Sequence, residues 1–142
     1  VVNTGGASTL LATDDGVVTP FTDGDDTFVY SKQSDSTTTA MDKISNFSID
    51  AGGGGAIDDV IDLSAFDLVA STIVNGGNAF NFTTGTVAFG ASNVYVASNG
   101  TDARVYVDID DSGAFEAAKD MVIELVGVTS VTGMSAAENF DF

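Results

Sequence analysis

Residues 105–120, VYVDIDDSGAFEAAKD, string Asp108, Asp110, Ser112, Glu116 and Asp120 along a chain that can turn at Gly113. Oxygen donors at every second residue, followed by a glycine, suit a hard cation such as Ca²⁺, which takes carboxylate, hydroxyl and carbonyl oxygens. With Asp108 as position 1, Asp stands at 1 and 3, Ser at 5, Gly at 6 and Glu116 at 9, most of the first half of an EF-hand-like loop. Position 12 is Lys119, which cannot ligate a cation, and Asp120 at 13 offers a closing carboxylate displaced by one residue. The spacing singles out Asp108, Asp110, Ser112 and Asp120 as side-chain ligands of Ca²⁺. Asp111 and Glu116 rank behind them, because neighbours on a turn point apart. The competing expectation is a solvated turn, since Asp, Ser and Gly also favour plain connections between strands.

A second acidic cluster, FTDGDDTFVY at residues 21–30, places Gly24, Asp26 and Phe28 as in the second half of the nonapeptide G-G-x-G-x-D-x-U-x. In such repeats each turn and strand supplies an Asp and carbonyls to Ca²⁺ shared between coils. Here Phe21-Thr22 replaces the leading glycine pair. A third cluster, DKISNF followed by DDVIDLSAFDL, again sets acids against β-branched strand residues.

Composition narrows the chemistry. The 142 residues contain no Cys and no His, which removes thiol nucleophiles, imidazole bases, disulfides and the usual zinc ligands. Acids outnumber bases 21 to 4, for a net charge of −17. That imbalance costs the compact state self-repulsion unless counter-ions reduce it, and it disfavours nucleic acid and anionic membrane as partners. No apolar run approaches the ~18 residues of a membrane span. Acid pairs such as Asp58 and Asp59, or Asp110 and Asp111, could be imagined as a glycosidase couple, but they are spread over turns and there is no Trp to hold a sugar. The expectation is a non-enzyme. The start, VVNTGGASTLLATDDG, lacks the basic and apolar segments of a secretory signal, and the missing initiator Met suggests a piece of something longer. Residues 1–20 read as a linker or the end of a preceding repeat region, and residues 1–142 as a single domain.

Strand signals dominate the elements that must position these acids. Short β-rich runs fall at 26–30, 42–47, 58–64, 78–82, 86–89, 93–98, 103–109 and 121–128. Turn residues separate them: Asp23-Gly24, the glycines 52–55, Asn75-Gly76-Gly77, Asn99-Gly100 and Ser112-Gly113. Helical spacing is confined to a turn or two at 114–121 and 135–140. The fold class expected is all-β, a β-sandwich or a short β-roll capped by a sandwich, with Ca²⁺-binding loops. NVYVAS and ARVYVDI flank Asn99-Gly100 as a hairpin. In its second strand Val105, Val107 and Ile109 should face the core, while Arg104, Tyr106 and Asp108 face water. MVIELVGV is apolar on both faces and reads as a central strand.

The order GDDTFVY … DKISNF … DDVIDLSAFDL … VYVDIDDSGAFEAAKDMVIELVGV … ENFDF resembles the C-terminal region of RTX proteins exported by type I secretion, and serralysin-type metalloproteases carry a similar tail. The resemblance covers residues 21–142. It implies a tail that caps a calcium-binding β-roll, binds Ca²⁺ and includes an uncleaved export signal. By that resemblance Asp26 is a calcium candidate, and Asp42, Asp59 and Asp62 are structural acids near a metal. Phe140, Asp141 and Phe142 would belong to the export signal, with a terminal strand packed on the core as the other reading of those two rings. The implied partner is a type I secretion channel, met transiently, and the implied location is extracellular or at the cell surface, without membrane insertion. Two other functions fit the residues. One is a structural module of an adhesin or surface-layer protein. The other is a calcium-stabilised carbohydrate-binding sandwich that meets a surface glycan through Tyr30, Tyr95 and Tyr106.

Overall fold

The computed structural model describes residues 8–11, 17–18, 26–49 and 59–142, the first two stretches as backbone only. The Asp23-Gly24 turn, the glycines 52–55 and Asp58 lie outside the described residues. Among the described residues ten strands form two sheets: β1 (Ser8–Leu11), β2 (Val17–Val18), β3 (Asp26–Val29), β4 (Lys43–Ser45), β5 (Val60–Asp62), β6 (Ile73–Asn75), β7 (Val94–Ser98), β8 (Ala103–Val107), β9 (Met121–Val126) and β10 (Phe140–Asp141). One sheet has the order β1-β3-β5-β10 and the other β2-β4-β9-β8-β7-β6. The fold is all-β.

Between β1 and β5 the chain passes from one sheet to the other at each strand, so neighbours within a sheet run parallel. Ser8 lies beside Asp26, a circuit of 18 residues or two nine-residue repeats. From β7 onward the pattern changes to antiparallel β7-β8-β9. The expectation is a β-sandwich or a short β-roll capped by a sandwich; the described strands form two sheets, mixed parallel and antiparallel. Phe28, Ile61 and Phe140 from the first sheet meet Ile44, Val96, Val105, Ile123 and Leu125 from the second in one buried cluster. Each such side chain contributes roughly 1.5–3 kcal/mol of burial.

The Asn99-Gly100 hairpin is as the sequence requires. Gly100 takes φ 88°, a value that costs glycine nothing, and the register pairs Val96 with Val105 and Val94 with Val107. β9 lies between β4 and β8, away from the sheet edges.

Three expectations are corrected. Residues 78–82 and 86–89 are not strands; apart from a single bridge at Ala88 they make loops. The stretches 114–121 and 135–140 hold no helix, only the single turns closed by Glu116 O and Ser135 O. The face carrying Tyr106 and Asp108 is not wet, for Tyr106 is 5% exposed and Asp108 0%. The reason is shared with the first correction. Phe80, Val87 and Phe89 of the loop, with Phe115, lie on Tyr95, Tyr106 and Val122 and make a second core on the outer face of the sheet.

Candidate metal centre

Asp108 follows the last residue of β8, and Asp120 precedes the first of β9. Because β8 and β9 pair with Val107 beside Met121, the two acids flank the same step of the ladder. This register explains why the closing acid falls at position 13 of the loop and not at 12: the residue opposite position 1 is Asp120. Its ends fixed by the sheet, the chain between them folds back over Asp108. Asp108 Oδ1 accepts the Ser112 N–H at 3.1 Å and Oδ2 the Gly113 N–H at 2.7 Å. Asp120 accepts the Ile109 N–H at 3.1 Å and the Glu116 N–H at 2.6 Å. Asp111 and Gly113 reverse the chain with φ 56° and 80°; glycine takes this without penalty, and Asp is among the side chains that tolerate it best. Phe115 anchors the far side, its ring edge-on to Tyr106 at 5.0 Å between centroids.

The result gathers carboxylate oxygens of Asp108, Asp110 and Asp120 within 4.8 Å of one another, the first and last buried and Asp110 exposed. Two oxygens bound to one Ca²⁺ at about 2.4 Å each can stand at most about 4.8 Å apart, so the trio meets the spacing that sharing one ion requires. Three hard oxygen donors, with no nitrogen or sulfur, fit Ca²⁺ in type as well as spacing. The charges are costly without a cation. Burial raises the Asp120 pKa, its two N–H donors lower it in part, and the carboxylates of Asp108 and Asp110 raise it again. Lys119 supplies an internal cation, with Nζ 3.0 Å from Asp110 Oδ2 and 2.7 Å from Glu116 Oε2.

Of the ligands expected from spacing, Asp108, Asp110 and Asp120 come together. The Ser112 hydroxyl instead donates to Ala114 O at 3.0 Å. Asp111 accepts from Asn93 Nδ2 at 3.3 Å. Asp26 opens β3 in the other sheet, outside the three-acid group, and its N–H donates to Asp59 Oδ1 at 2.9 Å. Asp59 also accepts the Ser48 N–H, and Asp62 accepts the Ser64 N–H and hydroxyl, so both tie loops to strands. Asp42 is buried in the strand region, where its carbonyl accepts the Glu124 N–H. Phe140 is 5% exposed and stacked on Phe142 at 5.9 Å, with β10 beside β5: the packed terminal strand. The proposed sugar platform is corrected. Tyr30, Tyr95 and Tyr106 are 0%, 7% and 5% exposed, and none offers a ring face to solvent.

Asn93 was missed. Its side chain accepts the Ala70 N–H at 3.0 Å and donates to Asp108 O at 3.0 Å, while its carbonyl accepts the Asp108 N–H at 2.8 Å. It is 1% exposed and braces the start of the acidic loop. The hairpin register would have found it, because one step beyond Val94 and Val107 sets Asn93 opposite Asp108.

The Peptidase M10 serralysin C-terminal family model matches residues 3–135. The chain belongs to that family, the RTX-type tail of proteins exported by type I secretion. Proteins with this tail are extracellular, and the tail is a non-catalytic region. No curated protein matches the chain. Among the described residues no helix is long and apolar enough to cross a membrane.

Proposed function

We propose that this domain is a calcium-dependent export tail: loose enough to thread a type I secretion channel where Ca²⁺ is scarce, and stabilised outside by ions that Asp108, Asp110 and Asp120 hold. The observation that carries the reading is the convergence of those three carboxylates within 4.8 Å on a loop pinned by strand register. Bound Ca²⁺ would supply the positive charge that a chain of net charge −17 lacks at this point. Asp108 and Asp120 keep their orientation through four backbone N–H donors, so little ordering remains to be done on binding. A site of extracellular affinity, about 10⁻⁴–10⁻³ M, contributes roughly 1 kcal/mol at millimolar Ca²⁺. For a domain of this size that moves Tm by about 3–5 °C.

Thermal unfolding in 2 mM Ca²⁺, in chelator and in Mg²⁺ tests this. The expected result is a midpoint at least about 3 °C higher in Ca²⁺ than in either other condition. An unchanged midpoint would leave the structural-module reading.

Phe140, Asp141 and Phe142 form the export signal in this reading. The burial of Phe140 in the folded domain supports a signal that is read before folding. In the whole secreted protein, Phe140→Ser with Phe142→Ser should abolish export while synthesis continues. Undiminished secretion would remove the signal from these residues.

A further inference from the structure

Four basic side chains serve the whole chain. Lys32 lies 3.6 Å from Asp35, and Lys119 is matched by two acids. Lys43 and Arg104, in contrast, share one carboxylate: Glu124 receives Lys43 Nζ at 2.6 Å and Arg104 Nη2 at 3.1 Å. The strands dictate this, since Glu124 on β9 stands beside Lys43 on β4 and beside Arg104 on β8. The trio carries one surplus positive charge. Burial opposes ionisation of Glu124, but hydrogen bonds and charges from the two bases outweigh it and hold the carboxyl below its usual range.

Arg104 also lines an open cleft of about 570 Å³ with Phe80, Asn81, Phe82 and Asn99. Its guanidinium carbon lies 4.3 Å from the Phe82 ring centroid, and its side chain is 24% exposed. Asn81 Oδ1 accepts the N–H groups of Thr83 and Thr84, and Asn99 Oδ1 those of Thr101 and Asp102. With both amide oxygens occupied by their own turns, the NH₂ ends remain as donors. The acid of the hairpin turn, Asp102, is engaged by the Gly127 N–H at 2.8 Å. The cleft therefore combines donors, a surplus of positive charge and two half-buried phenylalanine rings, on a protein that is elsewhere strongly acidic.

We propose that this cleft binds an acidic sugar unit, a hexuronate, with Arg104 and the Asn81 and Asn99 amides holding its carboxylate and hydroxyls and Phe80 and Phe82 contacting the C–H face of its ring. A planar guanidinium fixed by Glu124 and Phe82 suits a carboxylate, and acceptor-rich hydroxyls match amide donors. The aromatic lining accounts for the ring. The cleft has the volume of an ordinary small-molecule site. Lys43 contributes through charge, because it offsets the negative charge that Glu124 sets against Arg104.

The test is a residue-resolved amide-shift titration of the calcium-loaded domain with sodium glucuronate, against glucose and acetate. Glucuronate should give saturable shifts at Asn81, Phe82, Asn99 and Arg104, with both other probes at least about tenfold weaker. Arg104→Gln should weaken glucuronate about tenfold, and Lys43→Gln, which leaves the cleft wall intact, about two- to threefold. Should Arg104→Gln fail to fold, Lys43→Gln and Phe82→Ala carry the test. The proposal is overturned if nothing saturates at the cleft by about 50 mM. Equal binding of glucose or acetate, or shifts confined to residues 108–120, would overturn it too.

Discussion

Lys119 stands where an EF-hand-like loop would close with glutamate, and its ammonium spans Asp110 and Glu116. A cation that approaches Asp110 would have to displace that ammonium, so in the proposed site Lys119 would act as a built-in competitor. The contacts hold the lysine firmly protonated: the hydrogen bonds it donates to Glu116 and Asp110, then their charges, raise its pKa. Lys119→Gln removes the competitor and leaves all three ligand carboxylates in place. Calcium affinity, read by titration calorimetry, should rise several-fold, whereas Asp110→Asn should lower it. An unchanged affinity in Lys119→Gln would show that Lys119 does not compete for the site, and an unchanged affinity in Asp110→Asn that Asp110 takes no part in binding. At this scale the sequence was informative about the acids themselves, because their spacing follows from how an oxygen shell is built. It was silent about which carboxylates accept backbone N–H groups, since that depends on a fold-back no local rule specifies.

Elements were legible where period and turn chemistry agreed. The β7-β8 hairpin and the interior place of β9 follow from alternation, from Asn99-Gly100 and from apolar residues on both faces. Residues 78–82 and 86–89 have strand composition yet serve as a cover, with Phe80 and Phe89 packed on the outer face of the sheet. Alternation cannot distinguish a face turned to water from one awaiting a loop, so it assigns Tyr106 and Asp108 outward, whereas both are buried. β6, only three residues long, is too short for alternation to mark it. The cross-strand trio of Lys43, Glu124 and Arg104 belongs to this scale, and it carries a pH dependence. A carboxyl whose folded pKa is depressed adds stability above its unfolded value, about 4.3, and loses it as pH falls through the folded value. Glu124→Gln should therefore lower Tm at pH 7, and the gap from the unchanged protein should close as pH falls below about 4. A gap that stays constant from pH 7 to 3 would show that Glu124 acts through packing alone.

For the whole molecule, the surplus of acids and the absence of Cys and His set the chemistry before any fold is considered. A chain without Cys or His lacks disulfides and the usual zinc ligands, its carboxylates suit a hard cation as inorganic staple, and the acidic loop between β8 and β9 offers a place for one. The alternation of β1 to β5 between sheets continues a repeat-like winding, and the antiparallel strands end it. The half-copy of a nonapeptide hinted at that winding, but full coils could not be inferred from Gly24, Asp26 and Phe28 alone. We propose that the turn after Ile109 is a cation socket. A crystal grown in abundant Ca²⁺, with anomalous scattering recorded, tests it most directly. One ion should appear, bound by Asp108, Asp110 and Asp120 at oxygen distances of about 2.3–2.6 Å, with Lys119 swung away from Asp110. Lys119 still paired to Asp110, and no anomalous peak among the three acids, would contradict it.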